Sequence, residues 1–313
     1  METPANIDEL FGPRSSYPDP EAQARLARLV GLDLQRERLG KVLGVLVNAA
    51  GVMSWAERTH PCATEFIRQI VNRPPLVVLA GDVGTGKTEL AETIGDLTAR
   101  TEKIAITLYP MSLSTRGSGR VGEMTQLITA AFDAVAAEAK RLRRPDGKAS
   151  GAAILLVDEA DALAQSREAA QMHHEDRAGV NTFIRGIDRF AKERLPAAVI
   201  MCTNRLGALD PAIRRRAAEI FEFARPNDEQ RYRVVAHLLG AFDLTDKEIM
   251  QIVVATGPTD GRSYGFTYSD LTQRFLPAII LDAYPGNSVT FARVMEVLKT
   301  VAPTAPFREA NRS

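Results

Sequence analysis

Between residues 76 and 223, short apolar runs alternate with segments whose apolar residues recur every three or four positions. Leu76-Val77-Val78-Leu79-Ala80 predicts a buried strand, and Leu90, Ile94 and Leu97 predict a helix over 87–99. The alternation continues with a strand at 104–109 and a helix presenting Val121, Met124, Leu127, Ile128, Phe132 and Val135. A strand at 153–157, a helix presenting Val180, Phe183, Ile184 and Ile187, and a strand at 197–202 follow, then a short helix from Pro211 and a strand at 219–223. Strands that are apolar throughout are covered on both faces, so the predicted fold is α/β, a parallel sheet flanked by helices.

Ahead of this core, residues 1–20 are rich in Pro, Ser and Asp and predict a loose tail. A helix is expected from Glu21, broken near Gly31, and a second one presents Leu39, Val42, Leu43, Leu46 and Val47 on one face. After Pro226 the pattern is helical only. Asn227 with Gln230 and Thr245 with Glu248 have capping-box spacing, and further helices fit 269–283 and 290–300. The expected organisation is a flexible tail at 1–22, a large α/β domain at 23–226, and a small all-helical C-terminal lid at 227–313.

Gly81-Asp82-Val83-Gly84-Thr85-Gly86-Lys87-Thr88 is a complete GxxxxGKT phosphate-binding loop, placed between the first core strand and its helix. Gly84, Thr85 and Gly86 let backbone N–H groups close on phosphate oxygens, and the positive end of the following helix favours the anion. Lys87 is expected to reach the β- and γ-phosphates, and the Thr88 hydroxyl to ligand Mg²⁺. The chain binds nucleotide.

Composition narrows the remaining classes. Lys+Arg and Asp+Glu are both 39, so no overall field draws the chain to nucleic acid or anionic lipid. The basic stretch 141–151 lacks interleaved aromatics and contains a Pro-Asp-Gly turn, which reads as a solvated loop. No apolar run is long enough to span a bilayer, and the first residues lack an apolar h-region. Cys62 and Cys202 are too few for a disulfide framework and fit a reducing cytoplasm. Trp55, Phe66 and Ile67 read as packing residues.

The strand Ile154-Leu155-Leu156-Val157 ends at Asp158-Glu159. Beyond a phosphate loop, the first carboxylate helps hold Mg²⁺, partly through water, and the second polarises the water that attacks the γ-phosphate. Asp161 reads as a surface or capping residue. The next strand ends at Thr203-Asn204, where the Asn204 amide either orients that water or caps the turn. Arg214-Arg215-Arg216 follows; such a run is either a solvated helix end or the source of a finger that stabilises transferring phosphoryl charge.

This set, in this order, resembles the AAA+ ATPases, with Walker A at 81–88 and Walker B at Asp158-Glu159. Val30-Gly31-Leu32-Asp33 is similar to the segment lining the adenine pocket in that family, which assigns Gly31 and Leu32 to nucleotide binding. The resemblance implies Mg²⁺-dependent ATP hydrolysis at the interfaces of a homo-oligomeric ring, usually a hexamer. It makes Glu159 the catalytic glutamate, Asn204 the sensor-1 residue, Arg216 the first choice of finger and Arg215 the second. Arg274 lies in the helix that carries the sensor-2 arginine, although its turn does not match clearly.

Ser118-Gly119-Arg120-Val121, residues 180–188, Arg216-Ala217 and residues 269–277 are similar, more narrowly, to the pachytene-checkpoint AAA+ remodellers. That likeness implies a HORMA-domain substrate drawn into the ring pore. For the bacterial branch, which the short N-terminal segment resembles, it also implies a nucleotidyltransferase partner in CBASS anti-phage signalling. A cytoplasmic location with neither membrane nor nucleic-acid partner is expected. The alternative is a DNA-acting AAA+ ATPase of the helicase-loader, transposition-helper or clamp-loader type. The eukaryotic members carry an N-terminal adaptor-binding domain, which the short segment ahead of this core is not expected to supply, and the first pore loop departs from the family pattern. There Leu113-Ser114-Thr115-Arg116-Gly117 holds no aromatic residue. His173 and His174 read either as a second pore loop or as solvated histidines.

Overall fold

The computed structural model describes residues 10–112, 123–144, 149–161, 174–205, 207 and 209–307. They group into two compact units. The first comprises the chain through Ala27, Leu34–Ala80 and Thr88–Glu222, and the second Arg28–Asp33, Gly81–Lys87 and Phe223 onwards.

The first unit is built on a six-stranded sheet of order β1-β3-β4-β5-β2-β6. Its strands are β1 (Ser15–Tyr17), β2 (Leu76–Gly81), β3 (Ala105–Ser112), β4 (Gly151–Asp158), β5 (Ala197–Thr203) and β6 (Ala217–Phe223). The pairs β3–β4, β4–β5 and β5–β2 are parallel, as continuous apolar runs require. Its helices are α1 (Pro20–Ala27), α2 (Asp33–Val47), α3 (Ala49–Thr59), α4 (Thr64–Val71), α5 (Lys87–Glu102), α6 (Glu123–Leu142), α7 (His174–Glu193) and the short α8 (Pro211–Arg214). Helices α6 and α7 pack together on one sheet face, where Phe132 meets Phe183 and Phe190 edge-to-face at 5.6 and 5.0 Å. No single helix among the described residues is long and apolar enough to cross a membrane.

Two expectations are corrected here. Residues 10–22 are not a loose tail: Leu10, Phe11 and Tyr17 are buried, and β1 pairs antiparallel with β3 from Ser15↔Leu108 to Tyr17↔Ile106. Tyr17 Oη donates to the Glu92 carbonyl, and burial first of all pushes the phenol up to about 12. A three-residue edge strand carries too few apolar positions to show a period. Trp55 and Phe66, expected to be packing residues, are 44% and 67% exposed. They lie on α3 and α4, which pack chiefly on each other and shield only their facing side chains.

The second unit holds α9 (Asp228–Leu239), α10 (Asp246–Ala255), α11 (Leu276–Ala283) and α12 (Phe291–Thr300). Both capping boxes form as their spacing predicts. The helix expected over 269–283 is instead a π-helical turn, Asp270–Phe275, followed by α11. Pro277 has no N–H to offer the carbonyl four residues earlier, and Leu276 N–H bonds Leu271 O, five residues back. The added residue rotates everything before it relative to a regular helix, Arg274 included.

Candidate nucleotide-binding and hydrolysis site

In the second unit the phosphate loop is shaped by backbone that only glycine tolerates. Gly84 and Gly86 have φ of +74° and +92°. A Cβ on Gly84 would lie 2.6 Å from Thr267 Oγ1, and one on Gly86 would lie 2.8 Å from Leu32 Cδ1. Ser269 N–H donates to Gly84 O (3.0 Å), and the buried Thr85 hydroxyl donates to Asp82 O (2.7 Å). The Lys87 ammonium is buried and donates to Gly81 O (2.9 Å) and Asp82 O (2.7 Å), so its charge is held within the loop. Gly31 and Leu32 belong to the same unit. The Gly31 carbonyl accepts from Gln230 Nε2 at 2.9 Å and from Tyr268 Oη at 3.5 Å, and Leu32 is 3% exposed. Burial, then the Asp33 carboxylate, pushes the Tyr268 phenol up to about 12, so it remains a donor.

In the first unit, strand register aligns the chemistry. Ala80 sits opposite Thr203, and Val157 opposite Met201, so the carboxyl ends of β2, β4 and β5 lie along one sheet edge. That edge is where ligands bind in open α/β sheets. Thr88 Oγ1 donates to Asp158 Oδ1 at 3.3 Å, bringing together the two oxygens expected at the metal. Glu159 is exposed and held at φ +51°, with its N–H on Asp158 Oδ1 at 2.9 Å. Such a conformation costs about 1–3 kcal/mol for a non-glycine residue.

Asp161 is the residue that sequence reasoning misjudged. Its carboxylate accepts from Thr203 Oγ1 (2.8 Å), Asn204 N–H (2.9 Å) and Asn204 Nδ2 (3.4 Å), so it fixes the sensor candidate from below. The spacing of three residues from Asp158 could not reveal a partner on the neighbouring strand. We expect Asp161→Ala to cost about 1–3 kcal/mol by leaving Thr203 and Asn204 donors unpaired. A thermal melt and the hydrolysis rate, both lowered, are the check; an unchanged rate in a folded protein would remove Asp161 from the site.

The arginine run divides. Arg216 forms a bidentate pair with Asp188 on α7, Nε–Oδ1 2.7 Å and Nη2–Oδ2 2.9 Å, which raises its pKa. Arg215 is exposed and its guanidinium has no ion-pair partner among the described residues. In the second unit Arg274 bonds Asp270 Oδ1 at 3.0 Å. The first pore loop at 113–117, Ser118–Val121 and His173 lie outside the described residues, as does the His174 side chain.

No group of three or more His, Cys, Asp or Glu side chains able to hold a metal occurs among the described residues. A hydroxyl beside a carboxylate is instead the sparse, hard-oxygen set that Mg²⁺ accepts when phosphates and water complete its shell.

Comparison with known proteins identifies the family. Residues 77–225 match the family described as ATPase family associated with various cellular activities (AAA). CD-NTase-associated protein 6 of Escherichia coli (strain MS 115-1) is 59% identical over 307 residues, 98% of this chain and 99% of the relative. A chain in the structure of the E. coli MS115-1 HORMA:CdnC:Trip13 complex superposes with a TM-score of 0.89 at 58% identity, covering 98% of this chain and all of that one. Rhizobiales Trip13 gives a TM-score of 0.73 at 52% identity over 95% of this chain and all of that one. The chain belongs to the AAA family of ATPases, in the group of CD-NTase-associated protein 6.

Proposed function

We propose that this AAA ATPase is a Mg²⁺-dependent, ring-forming remodeller of a HORMA-domain protein, acting beside a nucleotidyltransferase in bacterial anti-phage signalling. The observation that carries the reading is the near full-length likeness to a chain of the HORMA:CdnC:Trip13 complex. A hexameric ring and a cytoplasmic location are both carried over from the family resemblance.

In the proposed cycle the amides of Gly84, Thr85 and Gly86 cradle phosphate oxygens, Lys87 neutralises the β- and γ-phosphates, and Gly31 and Leu32 border the base. Thr88 and Asp158 would hold Mg²⁺, which when bound offsets phosphate charge. Glu159 takes a proton from the attacking water, and Asn204, steadied by Asp161, orients that water. Arg215 and Arg216 serve the site of an adjacent protomer, and Arg274 is the sensor-2 candidate of the helical unit. Exposed apolar side chains on that unit, Met250 and Val254 on α10, Ile280 and Leu281 on α11 and Tyr284 just after it, give it area to bury against a neighbouring copy.

The test is capture. The purified Glu159→Gln chain with ATP and Mg²⁺ should form a ring that retains a HORMA-domain protein from the same source through size-exclusion chromatography. ATPase activity stimulated by DNA, with no retention of that protein, would favour the DNA-acting alternative instead.

A further inference from the structure

In the second unit the segment after α12 runs onto the phosphate loop. Thr304 gives its N–H (3.0 Å) and its hydroxyl (2.6 Å) to the fully buried Asp270 carboxylate. Three residues on, Phe307 N–H donates to Asp82 Oδ1 at 3.1 Å. Pro303 and Pro306 stiffen this strap, which reduces the freedom lost when it docks.

Asp82 is the second residue of the loop motif. Its carboxylate also accepts from Val83 N–H (2.9 Å) and from Arg225 through Nε (2.8 Å) and Nη2 (2.5 Å). The Arg225 and Asp82 side chains are only 13% and 17% exposed. Arg225 is itself fixed, with Nη1 on Gly265 O at 2.8 Å and its guanidinium 4.9 Å from the Tyr264 ring centroid. An acid at this loop position repels phosphate unless it is neutralised, and Arg225 neutralises it. The Asp82 carbonyl in turn accepts from Thr85 Oγ1 and Lys87 Nζ. One residue thus joins the C-terminal strap to the side chains that meet the phosphates.

We infer that Asp82, Arg225 and the strap 301–307 form a positioning device that sets the loop's affinity for nucleotide. Strap docking and nucleotide binding are therefore linked, each strengthening the other by the same factor. Asp270 anchors the device. Burial would raise its carboxyl, but the donors on Thr267 and Thr304 outweigh it and hold the group below its ordinary value. The inference rests on nucleotide binding at residues 81–88.

Titration with N-methylanthraniloyl-ADP tests it. The unmodified chain is measured first; no binding there would overturn the nucleotide reading and this inference together. A chain ending at Val301, Phe307→Pro, which removes the amide donor together with the ring, Phe307→Ala, which removes the ring alone, and Asp82→Asn are then compared. We expect truncation to weaken ADP on the order of tenfold, with Phe307→Pro in the same direction. Combining truncation with Asp82→Asn should add little beyond the stronger single change. For the truncated chain KM for ATP should rise while kcat stays within about twofold, a split that general destabilisation would not give. In the unmodified chain, ADP should slow hydrogen exchange at the Phe307 amide. Full ADP affinity in both the truncated and Phe307→Pro chains, or exchange at Phe307 indifferent to ADP, would overturn the device.

Discussion

Arg215→Ala and Arg216→Ala should each lower ATP hydrolysis by about 10³–10⁵-fold, the range over which arginine fingers act. Nucleotide affinity should stay within a few-fold, because neither side chain belongs to the loop that cradles the phosphates. The two arginines reach that role differently. Arg215 is exposed at the end of α8 and is available to a neighbouring subunit. Arg216 is held by the bidentate contact with Asp188 and must leave it, or share it, to reach a phosphate. Asp188→Asn weakens that hold and so separates the two. Hydrolysis lost in Arg215→Ala but only modestly lowered, and to a similar degree, in Arg216→Ala and Asp188→Asn would make Arg215 the finger and Arg216 the brace of the corner between α8 and β6. Steady-state ATPase rates beside equilibrium binding of labelled ADP are the measurements.

Glu159→Gln should reduce kcat by about 10²–10⁴-fold, the usual contribution of a positioned general base. ATP binding should persist, since Thr88 and Asp158 keep their contact and glutamine fills the same volume. The left-handed φ of Glu159 sharpens this expectation. Glutamine inherits the same backbone strain, so a lost rate reports the carboxylate rather than a relaxed turn. Glu159→Gly would relieve the strain and lose the base together, raising stability while abolishing turnover. A single-turnover assay separates a slow chemical step from slow product release.

The phosphate loop, the acid-ended strand and the parallel sheet were legible because each is written locally. Gly84 and Gly86 sit where a Cβ has no room, and runs such as Leu76–Ala80 declare strands buried on both faces. Both capping boxes were visible for the same reason, since their partners stand three residues apart. What escaped depends on distant partners. Asp161 meets Thr203 and Asn204 across 42 and 43 positions, Asp82 meets Arg225 across 143, and Gln230 reaches Gly31 across 199. The turn occupied by Arg274 escaped as well, because a π-helical turn shifts the helical phase without altering the spacing of apolar residues. The paired state of Arg216 is likewise a tertiary fact, set by where α7 places Asp188.

Mixing two inactive variants asks most directly whether one hydrolytic centre draws on two protomers. Glu159→Gln subunits lack the base but keep both arginines, whereas subunits carrying Arg215→Ala and Arg216→Ala keep the base but lack the cations. Titrating one into the other at fixed total protein should restore ATPase activity, with a maximum at intermediate ratios, where base and arginine meet at mixed interfaces. Activity that stays at the level of the separate variants, in rings shown to contain both subunits, would contradict a shared centre.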